Sequence, residues 1–360
     1  MIDFRSDTVT RPTEAMRQAM YKAELGDDVF ADDPSINALQ EFAAEKFGFA
    51  GALFAPSGTM TNLIALMSHC QRGDEAIVGQ NWHTYKWEGG GMAVLGSIQP
   101  QPLPHQADGS IAIHDILGAI KPDDPHFAKT RLVVVENTTG GQVLPLSYMQ
   151  SVAELAKHKQ LKSHIDGARI MNAAVAIAQQ NDSEVWQTAR SLVAGYDSVS
   201  VCLSKGLGAP VGSILLGDND FLLRAKRVRK MLGGGMRQAG MLAAAGQFAL
   251  THHVSRLAED HANATLLATG LNNLCAELSL GSDFVVSTPQ TNIIFCDLSA
   301  RLAHYFVAEL ATIGIICISS YYQHGDSSRC KLRLVTHLDI SKTDIQTTLL
   351  QSQRILSAYK

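Results

Sequence analysis

The chain has 360 residues, of which 46% are hydrophobic, 18% charged and 6% aromatic, and its formal net charge is −4. This balance excludes disordered, collagen-like and coiled-coil classes, and the lack of excess positive charge argues against a nucleic-acid partner. No apolar run approaches the roughly 18 residues of a membrane helix. The opening MIDFRSD places Asp3, Arg5 and Asp7 where a signal peptide needs apolar residues. Cys70, Cys202, Cys275, Cys296, Cys317 and Cys330 lie scattered, with no CxxC pair, so neither a disulfide framework nor a zinc site is expected. A soluble, reduced, cytoplasmic protein follows.

Residues 1–10 are polar and lack helical periodicity, and read as an arm. Pro12 suits the first position of a helix with Ala15, Met16, Ala19, Met20 and Ala23 on one face. The acidic loop GDDVFADDP ends at Asp33-Pro34, a cap and helix start, followed by the stripe Ile36, Leu39, Phe42, Ala43 and Phe47. The run Leu53 to Ala55 closes at Pro56, and Gly58 opens a helix with Leu63, Ile64, Leu66, Met67 and Cys70 inward. Further strands are expected at Ala76 to Val78, Leu132 to Val135, His164 to Ile165, Ser198 to Leu203 and Gly212 to Leu216. Each is nearly continuous Val, Ile or Leu, as in buried parallel strands. QPQPLPHQADGS reads as a proline-spaced loop ending in an Asp108-Gly109 turn. Strand–helix alternation predicts an α/β fold with a mostly parallel sheet. Beyond Ala243 to Leu250 the pattern changes to a long helix, then to strands at Asn292 to Cys296, Ile313 to Ile318 and Lys331 to Val335. The expected division is an N-terminal arm (1–15), a large domain (16–245) and a smaller C-terminal α/β domain (246–360).

Three stretches carry chemistry. In the first, the buried run from Ser198 ends in Ser204-Lys205-Gly206, which aims a lysine at the carboxyl edge of the sheet, where open α/β folds bind ligands. A lysine desolvated there can form a Schiff base, and a neighbouring glycine lets a ring approach the backbone. A plain surface lysine fits that segment equally well. Second, His164-Ile-Asp166-Gly-Ala-Arg169 sets a carboxylate at a strand end, suited either to a cofactor's pyridine nitrogen or to capping a helix. His164 with Asp166 also suggests a metal, but no third ligand is spaced nearby. Third, Pro56-Ser57-Gly58-Thr59 starts a helix whose free amides and dipole suit a phosphate, although ordinary caps use the same residues. The chain lacks GxxxxGK[ST] and a complete dinucleotide glycine fingerprint, which disfavours a nucleotide and a Rossmann dehydrogenase.

Together these stretches, with IDFRSDTVTRP, GDDVFADDP, HIDGAR, CLSKGLGAPVGS, RKMLGGGMRQAG and RLVTHLD, resemble the low-specificity L-threonine aldolase family over nearly the whole chain. The resemblance implies pyridoxal phosphate fold type I, a large domain plus a smaller one, and aldol cleavage of L-threonine, L-allo-threonine and related β-hydroxy-α-amino acids to glycine and an aldehyde. It implies that Lys205 holds pyridoxal 5'-phosphate, Asp166 pairs with its pyridine nitrogen, and Gly58 and Thr59 bind its phosphate. His83 would stack on the ring and accept the substrate hydroxyl proton. Ser6, Arg169 and Arg333 would clamp the substrate carboxylate, and His126 would reach the hydroxyl. Arg237 is expected near the phosphate, in the same or a neighbouring subunit, within at least a dimer and by resemblance a homotetramer. Each has a plainer reading: His83 as a packed ring, His126 as a loop residue, Ser6 as part of an arm, Arg333 as a surface ion pair.

The cluster Arg224, Lys226, Arg227, Arg229 and Lys230, without interleaved aromatics, reads as a solvated helix or subunit contact. Departures from the family are Phe30-Ala31 for tyrosine-glycine, Trp87 for a smaller aromatic, and longer loops at 178–189 and 323–328. The first two bear on substrate preference and rate more than on reaction class. Rival readings are a fold-type I β-eliminating lyase and a non-catalytic pyridoxal phosphate-binding protein.

Overall fold

The computed structural model describes residues 1–321 and 328–359 and divides into two compact units. The larger is Pro12–Val254, and the smaller combines Met1–Arg11 with Ser255–Lys360.

The larger unit is built on seven strands: β1 (Gly51–Ala55), β2 (Glu75–Gly79), β3 (Gln99–Leu103), β4 (Thr130–Glu136), β5 (Lys162–Asp166), β6 (Ser198–Cys202) and β7 (Ser213–Gly217). Their spatial order is β1-β7-β6-β5-β4-β2-β3. The runs β4 to β6 pair in parallel, as do β2 with β3 and β4. β7 alone is reversed, antiparallel to both β6 and β1. The expectation of parallel strands therefore fails at Gly212 to Leu216. A strand buried on both faces is apolar throughout whichever way it runs, so its composition carries no direction.

QPQPL, expected as a loop, is the edge strand β3. The Gln99 amide donates toward the β2 side, to the Asp74 carbonyl at 2.9 Å. Pro100 and Pro102 have the opposite parity, so their missing N–H groups fall on the open edge, where proline costs no ladder bond.

Helices cover the sheet: α1 (Glu14–Tyr21), α2 (Pro34–Phe47), α3 (Gly58–His69), α4 (His83–Lys86), α5 (Leu146–His158), α6 (Ile170–Asn181), α7 (Val185–Val193) and α8 (Asn219–Met231). α1 begins after Thr13, whose hydroxyl accepts from the Met16 amide, so Pro12 precedes the cap instead of opening the helix. Asp33 caps α2 as expected, and Ser57 caps α3. The anticipated long loop at 178–189 is the end of α6, a three-residue link and the first turns of α7. The second such loop, 323–328, lies outside the described residues except for Ser328.

Within GDDVFADDP, Ala31 sits in the left-handed region at φ 60°. A Cβ is unfavourable there by about 1–2 kcal/mol, partly offset by glycine's greater unfolded-state entropy. Ala31→Gly is expected to raise unfolding free energy by about 0.5–1 kcal/mol. Urea unfolding would show it as a higher midpoint at unchanged slope, and an unchanged midpoint would contradict it.

The smaller unit holds an antiparallel sheet in the order β10 (Ile318–Tyr321), β11 (Arg329–Val335), β9 (Ile293–Ser299), β8 (Phe284–Val286). Helices Leu257–Glu277, Ala300–Thr312 and Lys342–Ala358 contribute Leu267, Leu271, Phe306 and Ile345 to its core. The N-terminal residues are not an arm. Ile2–Asp3 pairs with Ile315–Ile316, and Phe4 is fully buried in that core. Phe4 donates to the Ile316 carbonyl at 2.8 Å and accepts from the Val335 amide at 3.0 Å. Among the described residues all six cysteines are buried and unpaired.

Candidate active site

Parallel strands deliver their carboxyl ends to one edge of the sheet, and ligands bind where the strand order reverses. Here β4 lies between β5 on one side and β2 on the other, so that point falls at β2 and β4. β4 ends in Glu136, β5 in Asp166, β6 leads to Lys205, and β2 leads to His83 at the start of α4. The His83 amide donates to Glu136 Oε2 at 2.6 Å across the reversal.

Lys205 is half-buried and lines a small cavity with Gly167, Ala168, Arg169, Asn172 and Cys202. Its charge opposes protonation of His83 and favours ionisation of Glu136, which sets the three groups in one field. The start of α3 borders β6: a Cβ on Gly58 would lie 3.8 Å from Cys202 Sγ. Thr61 Oγ1 bonds Ser200 Oγ at 2.6 Å and Ser213 Oγ at 2.9 Å, which fixes that helix on β6 and β7. Thus Lys205, Asp166, His83, Arg169 and Gly58 gather at one edge of the sheet in the larger unit.

Asp166 is 1% exposed. Its Oδ1 accepts from the Ala168 amide at 3.1 Å and its Oδ2 from Asn62 Nδ2 at 2.8 Å. His83 Nδ1 lies 2.8 Å from Glu88 Oε1, and one polar atom each of His83, Glu88 and Asp166 lies within 4.8 Å of the others. The hydrogen bond to Glu88 raises the His83 pKa, and burial raises that of Glu88. The pair therefore retains its shared proton at higher pH than an isolated imidazole would. Because Nδ1 is committed to Glu88, Nε2 is the ring nitrogen left for another partner.

Burial, with Asp166 next, also pushes the Glu136 carboxyl far up. A carboxyl raised on folding lends stability that is complete below its unfolded pKa and is lost as pH rises through the folded one. Glu136→Gln is therefore expected to gain stability over the wild-type apoprotein as pH rises from about 5 to about 8, by up to about 1.4 kcal/mol per pH unit, and to hold a constant advantage above that. Denaturant titrations at several pH values check this, and a difference between the two proteins that stays constant from about pH 5 to about 8 would contradict it.

His164, which suggested a metal in sequence, spends both ring nitrogens on neutral partners: Nδ1 on Ser198 Oγ at 2.8 Å and Nε2 on Asn62 Oδ1 at 3.2 Å. Asn62, Glu88 and Glu136 were missed in sequence. Glu136 obeys the same strand-end rule that singled out Asp166. Asn62 is a polar residue on the inward face of α3, 2% exposed, and that was its signal.

Other expected site residues have partners of their own. His126 is on the surface, its ring and amide both on Asp124 Oδ1 at 2.6 and 2.9 Å. Arg237 is exposed and pairs with Asp27 Oδ2 at 3.2 Å. Trp87 is 61% exposed beneath the Lys86 ammonium. Arg229, grouped with a solvated basic face, is buried against Asp28 at 2.6 Å and the Phe54 carbonyl at 2.6 Å. In the smaller unit Ser6 caps a short helical turn, and Arg333 Nη2 donates to the Arg5 carbonyl at 2.9 Å, which brings those two together.

Comparison with known proteins fits this geometry. A family described as beta-eliminating lyase matches residues 3–300. The chain is 47% identical over 349 residues to the low specificity L-threonine aldolase of Escherichia coli O157:H7, covering 96% of each. It is 43% identical to low-specificity L-threonine aldolase 1 of Arabidopsis thaliana, over 97% of this chain and 94% of the other. Its fold matches a threonine aldolase of Leishmania major (TM-score 0.82, 20% identity, 99% and 100% coverage). It also matches a serine palmitoyltransferase of Sphingomonas wittichii (TM-score 0.74, 17% identity, 99% and 87% coverage). The architecture is fold type I, the class to which the strand-end lysine and aspartate also point. Within that class, the chain belongs to the low-specificity L-threonine aldolase family.

Proposed function

We propose that the protein cleaves L-threonine, L-allo-threonine and related β-hydroxy-α-amino acids reversibly to glycine and an aldehyde, using pyridoxal 5'-phosphate. The observation that carries this reading over β-elimination is the His83–Glu88 pair beside Asp166: a base aimed at a substrate hydroxyl has no task when a β-substituent simply departs. The non-catalytic reading leaves unexplained why Lys205, Asp166 and His83 all remain in one constellation.

The residues fit the cofactor by their donor chemistry. Asp166 offers a carboxylate at a strand end for a pyridinium proton, and Lys205 an amine beside it. The Gly58 and Thr59 amides at the start of α3 have no acceptor among the described residues and suit a phosphate. When bound, the cofactor would supply an electron sink for the charge that develops at Cα.

The chain's own groups do the rest. Asp166 would hold the pyridine nitrogen in its protonated form. Arg169 would hold the substrate carboxylate, which fixes the orientation of the bond to be broken. His83 Nε2 takes the hydroxyl proton as the aldehyde forms, Glu88 stabilises the imidazolium through Nδ1, and a proton is returned to Cα to complete glycine. His126 and Arg237 would join only by leaving Asp124 and Asp27, or in an assembled oligomer. At least a dimer, by family a homotetramer, is consistent with the exposed apolar side chains of Tyr21, Leu25, Val29 and Phe30. No described helix is long and apolar enough to cross a membrane.

The reverse reaction tests the proposal. Holoenzyme given glycine and acetaldehyde should form threonine and allo-threonine. Failure to form either, with ammonia released from β-substituted amino acids instead, would favour the eliminating lyase.

A further inference from the structure

Behind the constellation, in the larger unit, lies a buried row of polar groups to which the mechanism assigns no task. Asn62 Nδ2 donates one hydrogen to Asp166 Oδ2 and the other to Glu88 Oε1, each at 2.8 Å. Asn62 Oδ1 faces His164 Nε2 at 3.2 Å, His164 Nδ1 meets Ser198 Oγ at 2.8 Å, and Ser198 Oγ meets His69 Nε2 at 2.7 Å. His164 and Ser198 are fully buried.

The row has a single direction. Carboxylates only accept, so the Asn62 amide must turn its NH2 toward Glu88 and Asp166 and its oxygen toward His164. His164 then carries its proton on Nε2, Ser198 donates to His164 Nδ1, and the remaining Ser198 lone pair accepts from His69 Nε2–H. Neither imidazole charges readily, because burial pushes both pKa values down to about 3. One orientation of the amide is thus fixed from behind by two neutral rings and a hydroxyl.

We propose that Asn62 is a positioning residue, a fork that holds the Glu88 and Asp166 carboxylates side by side and so couples the His83 base to the cofactor-anchoring aspartate. This rests on the functional reading above. Without the fork two carboxylates would face each other across a partly desolvated gap. Each N–H of the amide lies between them and satisfies one, which keeps Glu88 on His83 Nδ1 and Asp166 aimed at the site. The charged and titratable groups around His83 are Glu88, Glu136, Asp166 and Lys205; those around the row are His69, His164, Lys162 and Arg224.

Two experiments test the fork. In the first, ¹⁵N-histidine NMR of the apoprotein should show His164 and His69 neutral, with the proton on Nε2, from pH 5 to 9. Asn62→Ala should move the His164 signals away from that pattern. In the second, Asn62→Asp keeps the acceptor for His164 but removes the fork's donors and adds a charge near His83. The acid limb of its kcat/KM profile should move up by about one pH unit, with kcat at pH 7 down about tenfold and KM within about threefold. A merely structural role would lower the folded fraction without moving that limb. A proton on His164 Nδ1 in the wild type, or a folded Asn62→Asp protein with the wild-type limb, would overturn the proposal. If the wild type fails to cleave β-hydroxy amino acids, the functional reading falls, while the NMR result still judges the fork.

Discussion

Lys205→Ala is expected to lower aldehyde release from L-threonine at least about 10⁴-fold, because the covalent anchor of the cofactor is lost. The variant should also lose the visible absorbance of the lysine-bound cofactor while keeping the wild-type unfolding midpoint. Lys205 is half-buried and lines a cavity, so its side chain supports no core packing. Removing it therefore leaves the fold intact. Steady-state assay, absorbance and thermal denaturation check the three parts, and turnover near the wild-type rate would contradict the assignment.

Asp166→Asn is the second large effect. The change preserves shape, and an amide oxygen in place of Oδ2 still accepts from Asn62, although the NH2 in place of Oδ1 no longer accepts from the Ala168 amide. What is lost is the negative charge opposite a buried pyridinium. Leaving such a cation unpaired costs about 3–5 kcal/mol, which corresponds to a loss of activity on the order of 10³-fold. Cofactor affinity should fall with it, and equilibrium binding separates that loss from the drop in kcat. A variant with wild-type kcat would show that the pyridine nitrogen is held protonated by another group.

Of the site residues at strand ends, Asp166 and Lys205 were legible in the sequence, although Glu136, which ends β4, was passed over. Asp166 and Lys205 each follow an apolar run, and parallel strands send such residues to one edge, so pattern alone brought them together. Ser57 and Asp33 were legible as caps because capping is local. Asn62 and Glu88 were not, because their meaning lies in contacts 104 residues apart along the chain for Asn62–Asp166 and 26 apart for Asn62–Glu88. The reversal of β7 and the strand through Pro100 and Pro102 were hidden for a related reason. Strand direction and the identity of the open edge are properties of the assembled sheet, not of a segment's composition. Phe4 was overlooked because a single apolar residue in a polar stretch gives no period, although it fills the smaller unit's core.

The pairings of the basic side chains differ in strength. His126 on Asp124 and Arg237 on Asp27 are exposed, and exposed ion pairs hold their partners by about 1 kcal/mol or less. Neither pairing would prevent recruitment to a site. Arg229, by contrast, is bound to Asp28 in a buried pair and to a backbone carbonyl, which fixes it as a structural tie between α8 and the GDDVF segment.

The most direct test of the account is product balance from purified holoenzyme supplied with L-threonine and, separately, with L-allo-threonine. Cleavage of Cα–Cβ predicts equimolar glycine and acetaldehyde with no ammonia, and the ratio of the two rates reports the preference at Cβ. Ammonia with 2-oxobutyrate in place of glycine, or no product from either isomer, would contradict it.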